Sequence, residues 1–300
     1  MGMKRKLPLF LLAAAGLYWL AARRRHWRGF EGRVVLITGG TRGLGLALAR
    51  RFLSLGARVA VCGRDEETLE RAREQLGHDV FARACDVTEA QQVRELVREV
   101  ERRYGRIDVL INNAGVQIVE RVEEVDPARA RSLLELDLWV PLALTRALLP
   151  AMLARRAGTI VDIASVAALA PTPGMWHYNA AKGGLAAASE SLRGELRRTG
   201  VHVVTVYPGP VATAMAEAGY AAYPPDPVKK LLPEGDAATL ARRVRRAVER
   251  RQARVIYPRA YAITRWFPAV TRWFLDRFTP RPLPLAERAP PVTTEARTRT

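Results

Sequence analysis

VVLITGGTRGLG, residues Val34 to Gly45, decides the fold. Val34 to Thr38 is an unbroken apolar and β-branched run, the pattern of a strand covered on both faces. It enters a glycine-rich turn with Gly39, Thr41, Arg42, Gly43 and Gly45, and the turn opens an amphipathic helical stretch from Leu44 to Leu55. Glycines at 39, 43 and 45 allow a tight turn, close approach of backbone N–H groups to a pyrophosphate, and close packing of helix on strand. Strand, turn and helix in that order predict the first unit of a nucleotide-binding α/β sheet.

The pattern repeats along the chain. Short apolar runs at Arg58 to Cys62, Val80 to Ala84, Val109 to Asn112, Thr159 to Ala164 and Val201 to Tyr207 predict further buried strands. Amphipathic stretches at Glu66 to Gln75, Ala90 to Tyr104 and Asn179 to Arg198 predict helices between them. This alternation predicts a single doubly wound, Rossmann-like parallel sheet with helices on both faces. With no interior linker or repeat, residues 30–258 read as one domain.

Chemistry-bearing segments fall at the predicted C-terminal ends of strands, where ligands bind in such sheets. They are Asp86-Val87 after the third strand, Asn112-Asn113-Ala114-Gly115 after the fourth, and Pro208-Gly209-Pro210-Val211-Ala212-Thr213 after the sixth. Ser165 follows the fifth strand, and thirteen residues later comes Tyr178-Asn179-Ala180-Ala181-Lys182. Together with the G-x-x-x-G-x-G spacing of the turn, the set resembles the short-chain dehydrogenase/reductase family, and about 230 of the 300 residues take part.

The resemblance implies an oxidoreductase that moves hydride between a nicotinamide and a carbonyl or alcohol carbon. It casts Tyr178 as general acid/base, Ser165 as hydrogen-bond partner of the reacting oxygen, and Lys182 as holder of the nicotinamide ribose. It also places cofactor contacts at Gly39, Thr41, Arg42, Gly43, Leu44, Gly45, Asp86, Val87, Asn113, Ala114, Gly115, Pro208, Gly209, Val211 and Thr213. Tyr178 and Lys182, one helical turn apart, share a helix face, so the ammonium is expected to lower the phenol pKa. The family's fourth member is an Asn; here Asp137 stands in its place, within Leu136-Asp137-Leu138. Its main-chain carbonyl is expected to support a water chain to Lys182, and its charge to re-tune the proton relay.

Cofactor choice is read at the end of the second strand, where an acid would accept from the ribose 2′-OH of NAD. Cys62-Gly63-Arg64 stands there instead, with Arg42 in the turn, a pair of guanidiniums suited to the 2′-phosphate of NADP(H). Gln117 to Val119, Val166 to Ala168, Gly174 to Trp176 and Met215 to Tyr223 are expected to line the substrate pocket. They are apolar and aromatic, which favours a lipophilic ketone, aldehyde or alcohol.

The formal charge is +18, but it is unevenly placed. Residues 1–33 carry eight basic side chains and one acid, residues 242–300 fifteen arginines and four acids, and the middle 25 of each sign. The dinucleotide-binding body is therefore neutral, and no nucleic-acid recognition module accompanies the charge, which argues against a nucleic-acid partner. Leu7 to Ala22 is uncharged between Lys4-Arg5-Lys6 and Arg23-Arg24-Arg25. It reads as a membrane anchor over residues 1–28, with a cleaved signal peptide as rival. Three basic residues before it and five after put the body weakly on the cytoplasmic side.

At the other end, Ala260 to Phe278 carries Trp266-Phe267 and Trp273-Phe274 seven residues apart, with Arg265, Arg272 and Arg277 interleaved. This amphipathic helix over 259–279, divided or kinked by Pro268, is expected to pack on its own domain, meet a second copy, or lie on lipid. Residues 280–300, rich in Pro and Thr, read as an unstructured tail. Cys62 and Cys85 read as buried free thiols, and no metal site is expected. A homodimer or homotetramer is what the family resemblance implies. A membrane-tethered NADP-binding sensor or scaffold with decayed catalysis stands as the alternative function, resting on Asp137.

Overall fold

Seven strands form one parallel sheet in the order β3-β2-β1-β4-β5-β6-β7. They are β1 (Val34–Thr38), β2 (Arg58–Gly63), β3 (Phe81–Ala84), β4 (Val109–Asn112), β5 (Gly158–Ile163), β6 (Val201–Pro208) and β7 (Arg254–Tyr257). The computed structural model describes residues 29–77, 79–225 and 233–288. The anchor expected over 1–28 and the tail beyond residue 288 lie outside the described residues.

Helices α1 (Gly43–Leu53), α2 (Glu66–Leu76) and α3 (Ala90–Tyr104) link the first four strands. Helices α4 (Pro127–Leu134) and α5 (Val140–Ala154) are continuous through a π segment, Glu135–Trp139, and α6 (Trp176–Glu195) follows β5. Then come α7 (Ala214–Ala221), α8 (Ala237–Arg250), α9 (Ile263–Trp266) and α10 (Pro268–Phe278).

Period-two alternation divides each central strand between two cores. Val35 and Ile37 of β1 pack with Leu48, Phe52, Leu240, Val244 and Val248 on one face of the sheet. Val34 and Leu36 pack with Leu96, Val100, Leu144, Leu148 and Met152 on the other. All five residues of β1 are buried, as the unbroken apolar run predicts. The strand order reverses between β2-β1 and β4-β5, and the crevice above this switch point is where a doubly wound sheet binds its ligand.

Among the described residues, one continuous helical run, 127–154, is long and apolar enough to cross a membrane. Its Leu133, Val140, Leu144, Leu148 and Met152 are instead buried in the fold. Cys62 and Cys85 are buried and free.

Two features depart from the sequence reading. A seventh strand, Arg254–Tyr257, extends the sheet beside β6, with Val206 opposite Val255. The tail is not unstructured at its start: Leu283 N–H donates to the Ala222 carbonyl at 2.9 Å, and Pro282 is buried.

Candidate active site

The glycine turn is built as its residues require. Gly39 and Gly43 have φ of +62° and +54°, in the left-handed region that favours glycine. A Cβ on Gly45 would stand 2.6 Å from Asn113 Nδ2, so helix α1 starts too close to the β4 end for any side chain there. No side chain caps α1, and its first turn contains no acid, leaving its leading N–H groups to an anion. The site thus fits a dinucleotide pyrophosphate at Gly43, Leu44 and Gly45.

Thr38 and Asn113 lock this turn to the neighbouring strand. The Asn113 side chain donates to the Thr38 and Gly39 carbonyls at 2.9 and 3.0 Å. The Thr38 hydroxyl accepts from the Asn113 and Ala114 amides, both at 3.0 Å. Thr38 was not singled out in the sequence, and its place as the last residue of β1 was the available signal.

Tyr178 and Lys182, both buried, come off the first turns of α6 with the Lys182 ammonium 5.8 Å from the phenol ring centre. Lys182 Nζ donates to the Ile163 carbonyl at 3.1 Å. Its other neighbour is the Asp137 carboxylate, also at 3.1 Å, with both side chains almost fully enclosed. Asp137 sits in the π segment between α4 and α5, and its second oxygen accepts from the Val116 amide at 2.8 Å. Local π geometry inside α-helices is frequent at functional sites, and here it holds the carboxylate against Lys182, in line with the expected effect of its charge on that lysine. Gly115 makes room, because a Cβ there would stand 3.1 Å from Asp137 Oδ2 and 3.3 Å from Lys182 Nζ.

Burial raises the Tyr178 pKa, and the Asp137 charge adds to it, while Lys182 and the Ser165 hydroxyl pull the other way without winning. The net direction is the reverse of the lowering expected from the cation alone. Burial works to lower the Lys182 pKa, yet Asp137 first and Tyr178 next outweigh it, so Lys182 stays protonated. Burial raises Asp137 against the opposing charge of Lys182 and the Val116 amide. Beneath them Asp162, also raised by burial, accepts from Asn112 at 2.8 Å. Ser165 accepts from the Ala167 amide at 3.1 Å and turns its hydroxyl towards the Pro208 carbonyl at 3.5 Å.

Asp86 is held by Thr88, whose amide and hydroxyl donate to one oxygen at 3.0 and 2.7 Å. Its other oxygen faces Arg64 at 3.9 Å. Asp65, the acid next to Arg64, is occupied as the cap of α2, accepting from Thr68 N–H at 2.7 Å. Arg42 is exposed at the N-cap of α1. Val87, next to Asp86, is buried in the core. From the far side, Gly209 N–H donates to the Tyr257 carbonyl, Val211 bridges to Gly235, and the Thr213 methyl lies 3.7 Å from where a Gly43 Cβ would be.

The four expected pocket segments converge, but much of their apolar surface is spent on one another. Ile118 and Ala167 pack with Tyr178, and Val119 with Ala222 and Tyr223. Trp176 and Met215 remain exposed. Among the described residues no group of three or more His, Cys, Asp or Glu could hold a metal.

This crevice, with its glycine turn, buried Tyr178 and Lys182 and switch-point position, defines an oxidoreductase of the dinucleotide-binding α/β class. The chain belongs to the short chain dehydrogenase family, whose model matches residues 33–223. Dehydrogenase/reductase SDR family member 7B of Danio rerio is 36% identical over 203 residues, 65% of this chain and 66% of the relative. A solved actinorhodin polyketide ketoreductase variant with NADPH matches at a TM-score of 0.70 and 31% identity, over 75% of this chain and 95% of that one. A 3-ketoacyl-(acyl-carrier-protein) reductase from Brucella melitensis complexed with NADH matches at 0.68 and 25% identity, over 76% and 97%. The family uses NAD(P)(H) as cofactor and takes a small-molecule substrate.

Proposed function

We propose that this protein is an NADP(H)-dependent oxidoreductase that interconverts a lipophilic ketone or aldehyde and its alcohol. The observation that carries the reading is the convergence of Tyr178, Ser165 and the Lys182–Asp137 pair at the crevice beside a turn that fits a pyrophosphate. When bound, the nicotinamide would supply or accept the hydride. Lys182, fixed by the Ile163 carbonyl and Asp137, would hold its ribose. Asn113, Ala114 and Gly115 would flank it, and the 208–213 segment would cover its nicotinamide end. Tyr178 transfers the proton at the substrate oxygen, and Ser165 hydrogen-bonds that oxygen. Burial works against ionisation of the phenol, the form that donates its proton when a carbonyl is reduced.

NADP(H) is supported by Arg64 and Arg42 at the adenosine end and by Asp65 being engaged as a helix cap. A lipophilic substrate is supported by the apolar segments around Trp176 and Met215. A membrane location, with the catalytic domain on the cytoplasmic side, is supported by the basic-flanked apolar run Leu7 to Ala22. A homodimer or homotetramer is supported by the incompletely buried apolar helix 127–154 and its exposed Trp139.

The test is NADPH oxidation with a panel of lipophilic ketones. Turnover is expected, and Tyr178→Phe is expected to lower it by about 10²- to 10⁴-fold while nicotinamide fluorescence still reports cofactor binding. Turnover unchanged in Tyr178→Phe removes the proposed mechanism, and bound cofactor with no turnover of any ketone favours a sensor or scaffold.

A further inference from the structure

The segment after β7 packs against the fold on one side and is bare on the other. Leu275 of α10 reaches the cluster of Val166, Ala170 and Tyr207, and Arg265 is joined to Glu190 at 3.4 Å. The opposite face carries Ile263, Trp266, Phe267, Val270, Trp273, Phe274 and Phe278, each between 48% and 74% exposed. Three of the rings form one cluster: the Phe278 ring lies 4.7 Å from Phe274 and 6.1 Å from Trp273. Exposed apolar surface of this kind marks an interaction site.

Charge decides between occupants. From Arg259 to Arg288, both included, the segment holds six arginines and two acids, Asp276 and Glu287; Arg272 is paired with Asp276 and Arg265 with Glu190 of the body, and the balance stays positive. A symmetric contact with a second copy sets each patch against itself, arginines included. An anionic bilayer instead accepts aromatic rings at its headgroup level and attracts the guanidiniums beside them.

The patch is also tied to the mouth of the site. Arg272 donates to the Pro171 carbonyl at 3.0 Å, in the loop after β5. The chain then runs on through Pro282, which lies against Gly174 and accepts from Arg121 at 3.2 Å. Leu283 bonds to Ala222, and Arg288 donates to the Val119 carbonyl at 2.6 Å. Three of the segments expected to surround the substrate are therefore laced to the strap that leaves the aromatic helix.

We propose that the Ile263–Phe278 face docks on an anionic lipid surface and, through the 279–288 strap, sets the mouth of the site against that surface, so that substrate enters from the bilayer. The proposal rests on the lipophilic substrate and membrane location proposed above. It adds a second contact, independent of the N-terminal run.

The full chain, reconstituted in phosphatidylcholine vesicles with and without phosphatidylglycerol, provides the test. Amide exchange over residues 268–278 is expected to slow about tenfold when the anionic lipid is present. Trp266→Ser/Trp273→Ser/Phe274→Ser is expected to abolish that slowing. The same triple variant is expected to raise KM for a long-chain, bilayer-partitioning ketone about tenfold, with KM for a short water-soluble ketone unchanged. The short ketone also reports that the variant is folded. Exchange that is indifferent to lipid composition, or that slows with protein concentration instead, overturns the docking proposal, and in the second case a second copy occupies the face. If the wild type turns over neither ketone, the enzymatic reading fails while the exchange experiment still decides docking.

Discussion

Lys182 Nζ lies 3.1 Å from Asp137 Oδ2, and both side chains are almost fully enclosed. A carboxylate so placed does more than carry water through its backbone, because its charge acts directly on both titrating groups of the site. It raises Lys182 and, more weakly than burial, raises Tyr178. In Asp137→Asn both pKa values are therefore expected to fall. Ketone reduction, which needs the phenol, should lose activity at lower pH than in the wild type, and alcohol oxidation, which needs phenolate, should gain it at lower pH. The measurement is kcat/KM against pH in each direction. Identical profiles in wild type and variant mean that the charge has no such role. Asn can still accept from the Val116 amide, so the fold should survive. Asp137→Ala leaves a buried ammonium with one carbonyl partner and should cost about 3 kcal/mol of stability, read from urea unfolding.

Gly115 sets how close that pair can sit. A methyl group in its place would stand 3.1 and 3.2 Å from the two Asp137 oxygens and 3.3 Å from Lys182, tighter than ordinary contact. The neighbours belong to buried, hydrogen-bonded groups that cannot swing away. Gly115→Ala is expected to destabilise by about 1 to 3 kcal/mol and to lower kcat more than it raises KM for the cofactor. A variant with wild-type kcat and stability would show that the pair tolerates displacement.

At the proposed adenosine end, Arg64 is largely exposed and 3.9 Å from Asp86, so its removal should leave stability unchanged. A charged hydrogen bond to a 2′-phosphate contributes about 1.5 to 3 kcal/mol, which is roughly 10- to 100-fold in kcat/KM. Arg64→Ala is expected to lower kcat/KM for NADPH by that factor and to leave NADH unaffected. Steady-state rates with both cofactors check it, and an unchanged ratio would return Arg64 to the surface.

What could be read in the sequence, and what could not, follows from how local each signal is. Val34 to Gly45 declares strand, turn and helix within twelve residues, and Tyr178 with Lys182 declares itself within one helical turn. The direction of the Tyr178 shift was not legible, because it depends on desolvation by residues brought in from other elements. Asp137 was visible as a substitution, but only the fold shows how close the π segment brings its carboxylate to Lys182. Strand β7 is four residues among arginines, too short for its alternation to stand out, and it exists because β6 offers it an edge. The start of the tail resembles linker in composition, yet Pro282 is held by Arg121, 161 positions earlier in the chain.

Acid stability should depend on a carboxylate remote from the proton-transfer groups. Glu190 of α6 pairs with Arg254 of β7 and Arg193, accepts from Tyr207 of β6 at 2.9 Å, and faces Arg265 of α9. The hydrogen bond from Arg254 first, with Tyr207 and Arg193 helping and partial burial opposing, holds its pKa down from the ordinary 4.5 to about 2. A carboxylate depressed in the folded state stabilises above its unfolded pKa and loses that contribution as pH falls through the folded one. Discounted for solvent screening of these partly exposed partners, about 1 to 3 kcal/mol of stability should therefore be present at pH 7 and disappear between about pH 4.5 and pH 2. Glu190→Gln should lower the urea midpoint at pH 7 and flatten its decline over that acid window. Because Glu190 also ties α9 to the body, the variant should speed amide exchange in Ile263–Trp266 at neutral pH. If the wild type and Glu190→Gln lose stability in parallel from pH 4.5 to 2, the acid sensitivity belongs to other carboxylates.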